Sequence, residues 1–158
     1  MQRLINGLTC EFGSTDVIDA VNLKVTTSWP SPIIDFAANG LAVDFLLAAK
    51  FVSIGAVSAG VAKIQVECFS NDGTTVLLPI TDIVTGITLP PTDSTSYLYV
   101  LATPGRAPRK IAGPAATLVT TDSDLFTCMG KMRFTLKATT ASDAATSCTG
   151  SLFIRTTP

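Results

Sequence analysis

The sequence contains no histidine, and only 15% of its 158 residues are charged. Histidine is the usual general base and the commonest metal ligand, so its absence removes the ordinary starting points for catalysis and metal binding. Lys and Arg number 11 while Asp and Glu number 12, which gives a formal net charge of −1. A chain with this balance has no electrostatic field that would gather nucleic acid. We therefore expect a protein without catalytic residues, without a cofactor or small-molecule substrate, and without DNA or RNA as a partner.

Long hydrophobic runs are missing as well. The most apolar segment, residues 41–62, is interrupted by Asp44 and Lys50. Its longest uncharged run, residues 51–62, is well short of the roughly 20 residues of a membrane-spanning helix. The residues after Met1 contain too short an apolar stretch for a signal peptide. We expect no membrane partner and synthesis in the cytosol.

The four cysteines, Cys10, Cys68, Cys128 and Cys148, form no C-x-x-C pair, which argues against zinc and redox motifs. In a protein that is not exported, disulfides are not expected. Cys68 alternates with apolar neighbours and is predicted to be a small buried residue. A bridge between Cys128 and Cys148 stays open as an alternative in case their strands pair.

Acidic pairs occur at Asp16 and Asp19 and at Asp122 and Asp124, and the second pair is separated by one residue. Carboxylate oxygens at this spacing can hold calcium, but the pattern is common and no complete calcium-binding loop follows it. The sequence therefore predicts no metal site, and a cation at these two residues remains an open question.

Alternation of apolar and polar residues dominates the chain. Between Ala62 and Cys68 the apolar residues recur at every second position, and residues 131–138 and 151–156 repeat this pattern. Such alternation is typical of antiparallel strands with one solvated face. We predict an all-β antiparallel sandwich or jelly roll of about eight strands with little helix. Residues 1–158 form one domain, with residues 1–18 as an extended N-terminal arm, and residues 41–50 are the one stretch that could form a short helix.

The low fraction of charged residues predicts self-association. Isolated monomers usually carry about 25–35% charged residues on their surface, and this chain has far fewer in total. The segment Tyr97 to Leu101 is apolar on both faces of a strand, which offers more apolar surface than one core needs. We expect the surface to be covered by copies of the chain or by a larger assembly. The alternative is a monomer kept soluble by its hydroxyl and amide side chains.

Two groups of residues are candidates for partner binding. Arg106, Arg109 and Lys110 lie in a Pro- and Gly-rich segment, where Arg is well suited to bind carboxylates of another protein. The alternative for these three is a solvated loop. Tyr97 and Tyr99 are two residues apart, so both rings project from one face of a strand. Aromatic rings on a β-sheet also suit carbohydrate binding, and core packing would explain this pair equally well.

Two segments carry a resemblance to a known group of proteins. Residues 63–79, with their Ser-Asn-Asp-Gly turn, are similar to the hairpin frequent in small phage virion proteins, and residues 132–155 resemble their terminal hairpin. The resemblance covers about a third of the chain. It implies a β-sandwich that decorates, cements or connects parts of a phage head or tail. The expected partners are then copies of the chain and a virion shell or tail protein, and the location is the virion, after synthesis in the host cytoplasm.

A second resemblance is to the jelly-roll coat proteins of small icosahedral viruses, which have similar Thr- and Pro-rich strands. Many of those proteins carry a basic N-terminal arm that neutralises the packaged genome. Here residues 1–23 contain Arg3 as the only base, beside Glu11, Asp16 and Asp19. This departure favours a decoration or accessory protein over a coat protein that contacts the genome. A carbohydrate-binding β-sandwich module is the alternative from another functional class.

Overall fold

A computed structural model of the chain describes residues 18–35, 44–55, 60–70, 72–102, 108–119, 131–142 and 145–157. These residues form eleven strands, and they contain no helix. The strands are β1 (Ile18–Asn22), β2 (Ser28–Pro30), β3 (Ile34–Asp35), β4 (Asp44–Gly55), β5 (Val61–Phe69), β6 (Val76–Thr88), β7 (Ser94–Ala102), β8 (Arg109–Ala112), β9 (Thr117–Leu118), β10 (Lys131–Thr140) and β11 (Ala145–Thr157). Three of the eleven, β2, β3 and β9, have only two or three residues. The predicted all-β class with about eight substantial strands is confirmed.

The strands form two antiparallel sheets. Sheet A has the order β1-β11-β4-β7-β8, and sheet B has the order β2-β10-β5-β6-β9, with β3 also paired to β10. Without the short additions β3, β8 and β9, the orders are β1-β11-β4-β7 and β2-β10-β5-β6. Successive strands thus change sheets repeatedly, in the strand order of a jelly roll. The sandwich predicted from the alternation is confirmed, and its topology is that of the jelly-roll variant.

The core lies between the two sheets and follows the alternation of the sequence. In β5 the residues Ala62, Ile64, Val66 and Cys68 are all fully buried, while the residues between them are partly exposed. Phe51 from sheet A and Phe134 from sheet B are the largest fully buried side chains. Burial of apolar surface contributes roughly 25 cal/mol per Å², so this inner layer is the main source of stability.

Gly150 shows how closely the sheets approach each other. A Cβ atom at this position of β11 would lie 2.7 Å from Cδ2 of Leu136 and 2.8 Å from Cδ1 of Leu23. Both distances are shorter than any normal carbon contact, so a side chain here would push the sheets apart. The closest packing of the sandwich therefore depends on glycine in the middle of β11.

The segment that could have formed a short helix is a strand in its described part. Residues 44–50 belong to β4, which pairs with β11 on one side and β7 on the other. A central strand with neighbours on both edges satisfies its backbone donors and acceptors in the ladder, which overrides a weak helix preference. The helical alternative for residues 44–50 is wrong, and residues 41–43 lie outside the described residues.

Cys68 is buried in β5, as predicted, and Cys148 is buried in β11. The hydroxyl of Ser53 donates to Sγ of Cys148 at 3.5 Å. Cys10 and Cys128 lie outside the described residues, as do Asp122, Asp124 and residues 1–17 of the predicted arm. The structure therefore does not test the two open alternatives, a bridge between Cys128 and Cys148 and a cation at Asp122 and Asp124.

Candidate binding surfaces

The two predicted tyrosines lie side by side on the outer face of sheet A. Both belong to β7, where Leu98 and Val100 point into the core. The ring centroids of Tyr97 and Tyr99 are 6.3 Å apart, and the ring planes are parallel within 1°. Tyr97 is 44% exposed and Tyr99 only 8%. The prediction that both rings project from one face is confirmed, and Tyr97 is the ring that a ligand can reach.

Burial raises the pKa of the Tyr99 phenol, and the neighbouring Tyr97 phenol raises it further. The two causes are distinct: burial disfavours the charged phenolate of Tyr99, and a phenolate at Tyr97 would repel it. Tyr99 therefore stays neutral through the physiological range. It supports the ring of Tyr97 rather than offering a charge.

A shallow depression of about 240 Å³ lies on the same face, beyond Tyr97 along the strands. Its lining comes from the end of β4 and the start of β7: Val52, Ser53, Ile54, Asp93, Ser94 and Thr95. Thr95 pairs with Val52 across the strands, and Tyr97 pairs with Lys50. Tyr97 and Thr95 share a face and lie two positions apart, which is about 6.7 Å along a strand. We refer to Tyr97, Lys50 and the lining of this depression as the Tyr97 site.

Two unusual backbone conformations shape the rim of the Tyr97 site. Asp93 has a positive φ of 49°, which is uncommon for a residue with a side chain, and Gly55 has a φ of 94°. The amide of Gly55 donates to Oδ1 of Asp93 at 2.9 Å. This bond holds the carboxylate at the mouth of the depression, with its second oxygen available to a ligand. A strained residue with a fixed carboxylate is a feature that binding sites often contain.

The predicted basic cluster is only partly described. Arg106 lies outside the described residues. Arg109 is exposed at the start of β8, and Lys110 follows it with its Nζ donating to the carbonyl oxygen of Pro114 at 2.7 Å. The Lys110 ammonium group is therefore used in a hydrogen bond within its own segment. Among the described members of the cluster, Arg109 is the one that a partner can reach. The expected docking role stays a prediction.

A third surface was not singled out by the sequence. Three large apolar side chains are exposed at the start of β6: Val76 at 47%, Leu77 at 58% and Ile80 at 52%. We call these three residues the hairpin patch, because they follow the turn that joins β5 to β6. β9 pairs only with Val84 and Thr85 of β6. The described strands thus leave this part of the β6 edge uncovered.

The turn beside the hairpin patch is closed by several hydrogen bonds among its described residues. The carboxylate of Asp72 accepts bonds from the Ser70 hydroxyl and from the Thr74 amide, and the Gly73 amide donates to the Ser70 carbonyl. These hydrogen bonds favour the ionised form and hold the pKa of Asp72 well below its usual range. Gly73 has a φ of 75°, which suits glycine in a tight turn. These bonds connect Ser70 with residues 72–75 just before the hairpin patch, and Asn71 lies outside the described residues.

The outer face of sheet B is charged and internally paired. Nη2 of Arg133 lies 2.6 Å from Oε2 of Glu67, and the Arg133 guanidinium also lies 5.2 Å from the centre of the Phe69 ring. Nζ of Lys63 lies 3.1 Å from Oδ1 of Asp82, which also accepts a bond from the Gln65 amide. Most of the hydrogen-bonding capacity of this face is thus used within the sheet.

Clusters of metal ligands and membrane-spanning helices are absent from the described residues. They contain no group of three or more Cys, Asp and Glu side chains placed to hold a metal ion. Their secondary structure includes no helix that is long and apolar enough to cross a membrane.

Comparisons with known proteins give little sequence information. No protein-family model matches the chain, and no curated protein matches it significantly. Among solved structures, the globular domain of calreticulin from T. cruzi is similar with a TM-score of 0.44 and 8% identity, over 80% of this chain and 67% of that one. The CBM2 module of the evolved Dit of Lactobacillus casei BL23 phage J-1 has a TM-score of 0.41 and 12% identity, over 80% and 68%. Similarity at this level says nothing about shared function.

Proposed function

We propose that the protein is a non-enzymatic structural component of a virion, of the capsid decoration or head–tail accessory type. It acts by occupying sites in an assembly, and its partners are copies of itself and a virion shell or tail protein. The observation on which the proposal rests most is the hairpin patch, an exposed apolar surface on a chain with very little charge.

Exposed side chains of this size are costly to leave in water. Leu77 and Ile80 are each more than half exposed, and residues 74–81 contain no charged side chain. Native proteins usually protect an open strand edge with charges, prolines or bulges. β6 has Pro79 and several bulges against β5 but no charge in this stretch. These devices oppose strand addition, whereas the apolar side chains remain free to pack against another surface.

A second copy of the chain is the proposed occupant of the hairpin patch. Because residues 74–81 are uncharged, two copies can meet there about a two-fold axis without facing like charges. A standard interface buries about 800 Å² on each partner, which is more than three half-exposed side chains provide. The contact must therefore extend along the uncharged stretch on either side of Leu77 and Ile80.

The strand order adds support at the level of the fold. Jelly rolls are frequent in viral capsid proteins and also in lectins, so the topology favours the virion class only by analogy. It is equally compatible with the alternative in which the chain forms the shell itself. Mass spectrometry of purified particles distinguishes these versions, since a shell protein is the most abundant component and an accessory protein is not. Absence of the chain from all particles would overturn the virion proposal.

Self-association is tested by sedimentation of the full chain at micromolar concentration. We expect a closed oligomer for the natural sequence and dissociation in the double variant Leu77→Asp, Ile80→Asp. Ile111→Asp is the matched control, because Ile111 is 53% exposed on β8 and lies outside the hairpin patch. A monomeric natural chain, or equal dissociation in the control, would contradict the role of the hairpin patch.

A further inference from the structure

We infer that the Tyr97 site binds a neutral saccharide, with one sugar ring on the Tyr97 ring and a neighbouring ring in the depression beside it. This inference concerns a different surface from the hairpin patch and does not depend on the proposed assembly role. It assigns a ligand class and named residues to the carbohydrate-binding alternative that the sequence left open.

The aromatic part of the site is an exposed ring in a fixed orientation. Tyr97 is 44% exposed, whereas Tyr99 beside it is almost buried and lies parallel to it within 1°. A ring held by its neighbour loses little conformational freedom on binding, which lowers the entropic cost of association. The C–H face of a sugar ring packs against an aromatic face of this kind, because the ring carries a negative potential and the C–H groups are weakly positive.

The polar part of the site lies beside Tyr97 on the same face of sheet A. Thr95 follows on the same face, about 6.7 Å from Tyr97 along the strand, and it lines the depression with Ser94 and Asp93. The Asp93 carboxylate keeps hydrogen-bonding capacity after accepting the Gly55 amide. The Ser94 hydroxyl donates to the Pro91 carbonyl at 2.8 Å and can still accept a bond. These oxygens can accept and exchange hydrogen bonds with sugar hydroxyls.

The combination selects against other ligand classes. A purely apolar ligand would desolvate the Asp93 carboxylate without giving it a partner, which is unfavourable. An anionic ligand would meet the same carboxylate at the rim of the depression. A neutral polyhydroxyl ligand satisfies both the ring and the carboxylate. Lys50, directly across from Tyr97, can donate to its hydroxyls in addition.

The apolar lining limits the depth of binding. Val52 and Ile54 form the β4 side of the depression, and Ile54 is 50% exposed. The depression is shallow and open, so a ligand keeps one side in solvent. This shape suits an internal stretch of an oligosaccharide better than a small metabolite that requires enclosure. Binding to such an open site is expected to be weak for one site and useful when many copies act together.

The test is an NMR titration of the full chain with maltose, cellobiose, lactose and N,N′-diacetylchitobiose, followed through backbone amide shifts. We expect at least one of the four to shift the amides of residues 93–97 and 52–55 in a saturable manner. Tyr97→Ala is expected to weaken that binding about tenfold, which corresponds to about 1.4 kcal/mol. Tyr97→Phe is expected to retain it, because the ring and not the hydroxyl makes the contact.

Two controls keep the result specific. Ile111→Ala shortens an apolar side chain on β8 that is 53% exposed, compared with 44% for Tyr97, and should leave the titration unchanged. The double variant of the hairpin patch should also bind normally, so failure of the assembly proposal and failure of this one are distinguishable. The inference is overturned when none of the four sugars shifts these amides, or when Tyr97→Ala binds the sugar as well as the natural chain.

Discussion

The outer faces of the two sheets differ far more than their inner faces do. On sheet A the outward side chains of β4 between residues 46 and 54 are Leu46, Ala48, Lys50, Val52 and Ile54, of which Lys50 is the charged one. On sheet B the outward side chains of β5 and β10 include Lys63, Glu67, Lys131, Arg133 and Lys137. The inner faces of both sheets are almost entirely apolar, with Ser53 as a buried exception on sheet A.

The difference between the two outer faces shows that the side chains needed for folding and those needed for contact with other molecules lie on different faces of the sheets. Both sheets need an apolar inner face, because that face makes the core. In sheet B, the outer face of β5 and β10 is composed for water, with ion pairs that bridge neighbouring strands, whereas the start of β6 carries the apolar hairpin patch. The outer face of sheet A carries aromatic and aliphatic side chains with little protection by charge, which is the composition expected of a surface that meets a ligand or a partner.

The largest expected effect tests whether the two sheets contribute equally to the core. Phe51→Ala in sheet A and Phe134→Ala in sheet B each remove a fully buried ring. Such a truncation costs about 3–5 kcal/mol of unfolding free energy, since a cavity remains. Urea denaturation of both variants should give similar losses. A much smaller loss for Phe51→Ala would mean that sheet B alone carries the core.

A smaller effect measures how strongly the outer face of sheet B is paired. A double-mutant cycle with Arg133→Ala and Glu67→Ala should give a coupling of about 0.5 kcal/mol. The value is modest because the Arg133 side chain is 37% exposed and solvent screens the pair. The coupling should decrease in about 1 M salt, where the Debye length is about 3 Å. A coupling that is insensitive to salt would show that packing of Arg133 on Phe69, rather than charge, stabilises this face.

A third change removes an unfavourable contact between like charges on sheet B. Lys137 lies directly opposite Lys63 in the β10–β5 ladder, and like charges in this position are unfavourable. Lys63 already pairs with Asp82. Lys137→Glu should therefore stabilise the protein by about 0.2–0.5 kcal/mol in urea denaturation. Lys137→Gln should give about half of that gain, and a loss of stability in both variants would contradict the electrostatic explanation.

The smallest effect concerns the outer face of sheet A at high pH. Because the pKa of Tyr99 is raised in the folded state, the unfolded chain releases this proton at a lower pH than the folded one. The contribution of Tyr99 to stability is complete below about pH 10, the ordinary pKa of tyrosine, and it is lost as the pH rises through the folded pKa. Tyr99→Phe should reduce this alkaline loss in denaturation experiments between about pH 9 and 11. An identical pH dependence in the variant would show that Tyr99 is well solvated.

The same contrast explains which parts of the fold the sequence predicts. β5 and β10 are recognisable because their polar outer residues alternate with buried ones such as Ile64 and Phe134. In β4 and β7 the outer residues are apolar too, so the alternation disappears. From sequence alone, a segment of a central strand, such as residues 46–49 of β4, then cannot be distinguished from a helix or from an apolar stretch without regular structure. The apolar outer face that makes sheet A interesting for binding is therefore also the reason for its ambiguity in sequence.

The candidate sites were predictable to a similar degree. The spacing of Tyr97 and Tyr99 places both rings on one face of a strand without further information. The neighbours of Tyr97 depend on cross-strand register, which pairs Thr95 with Val52 and is not written in local patterns. The hairpin patch escaped detection because bulges shift the β5–β6 register from Val66–Thr81 to Phe69–Val76. After such shifts, the two-residue period of a strand no longer predicts which side chains are exposed to solvent.

The positions of the last two strands have a consequence for synthesis on the ribosome. β10 lies between β2 and β5, and β11 lies between β1 and β4. Neither sheet can therefore close while translation has not reached these two strands. Until then, the earlier strands, and above all the β5–β6 hairpin, keep unpaired edges in the nascent chain. Strand pairing over such long sequence separations places folding in the range of milliseconds to seconds, so chaperone capture before residue 131 emerges would protect this chain more than later assistance.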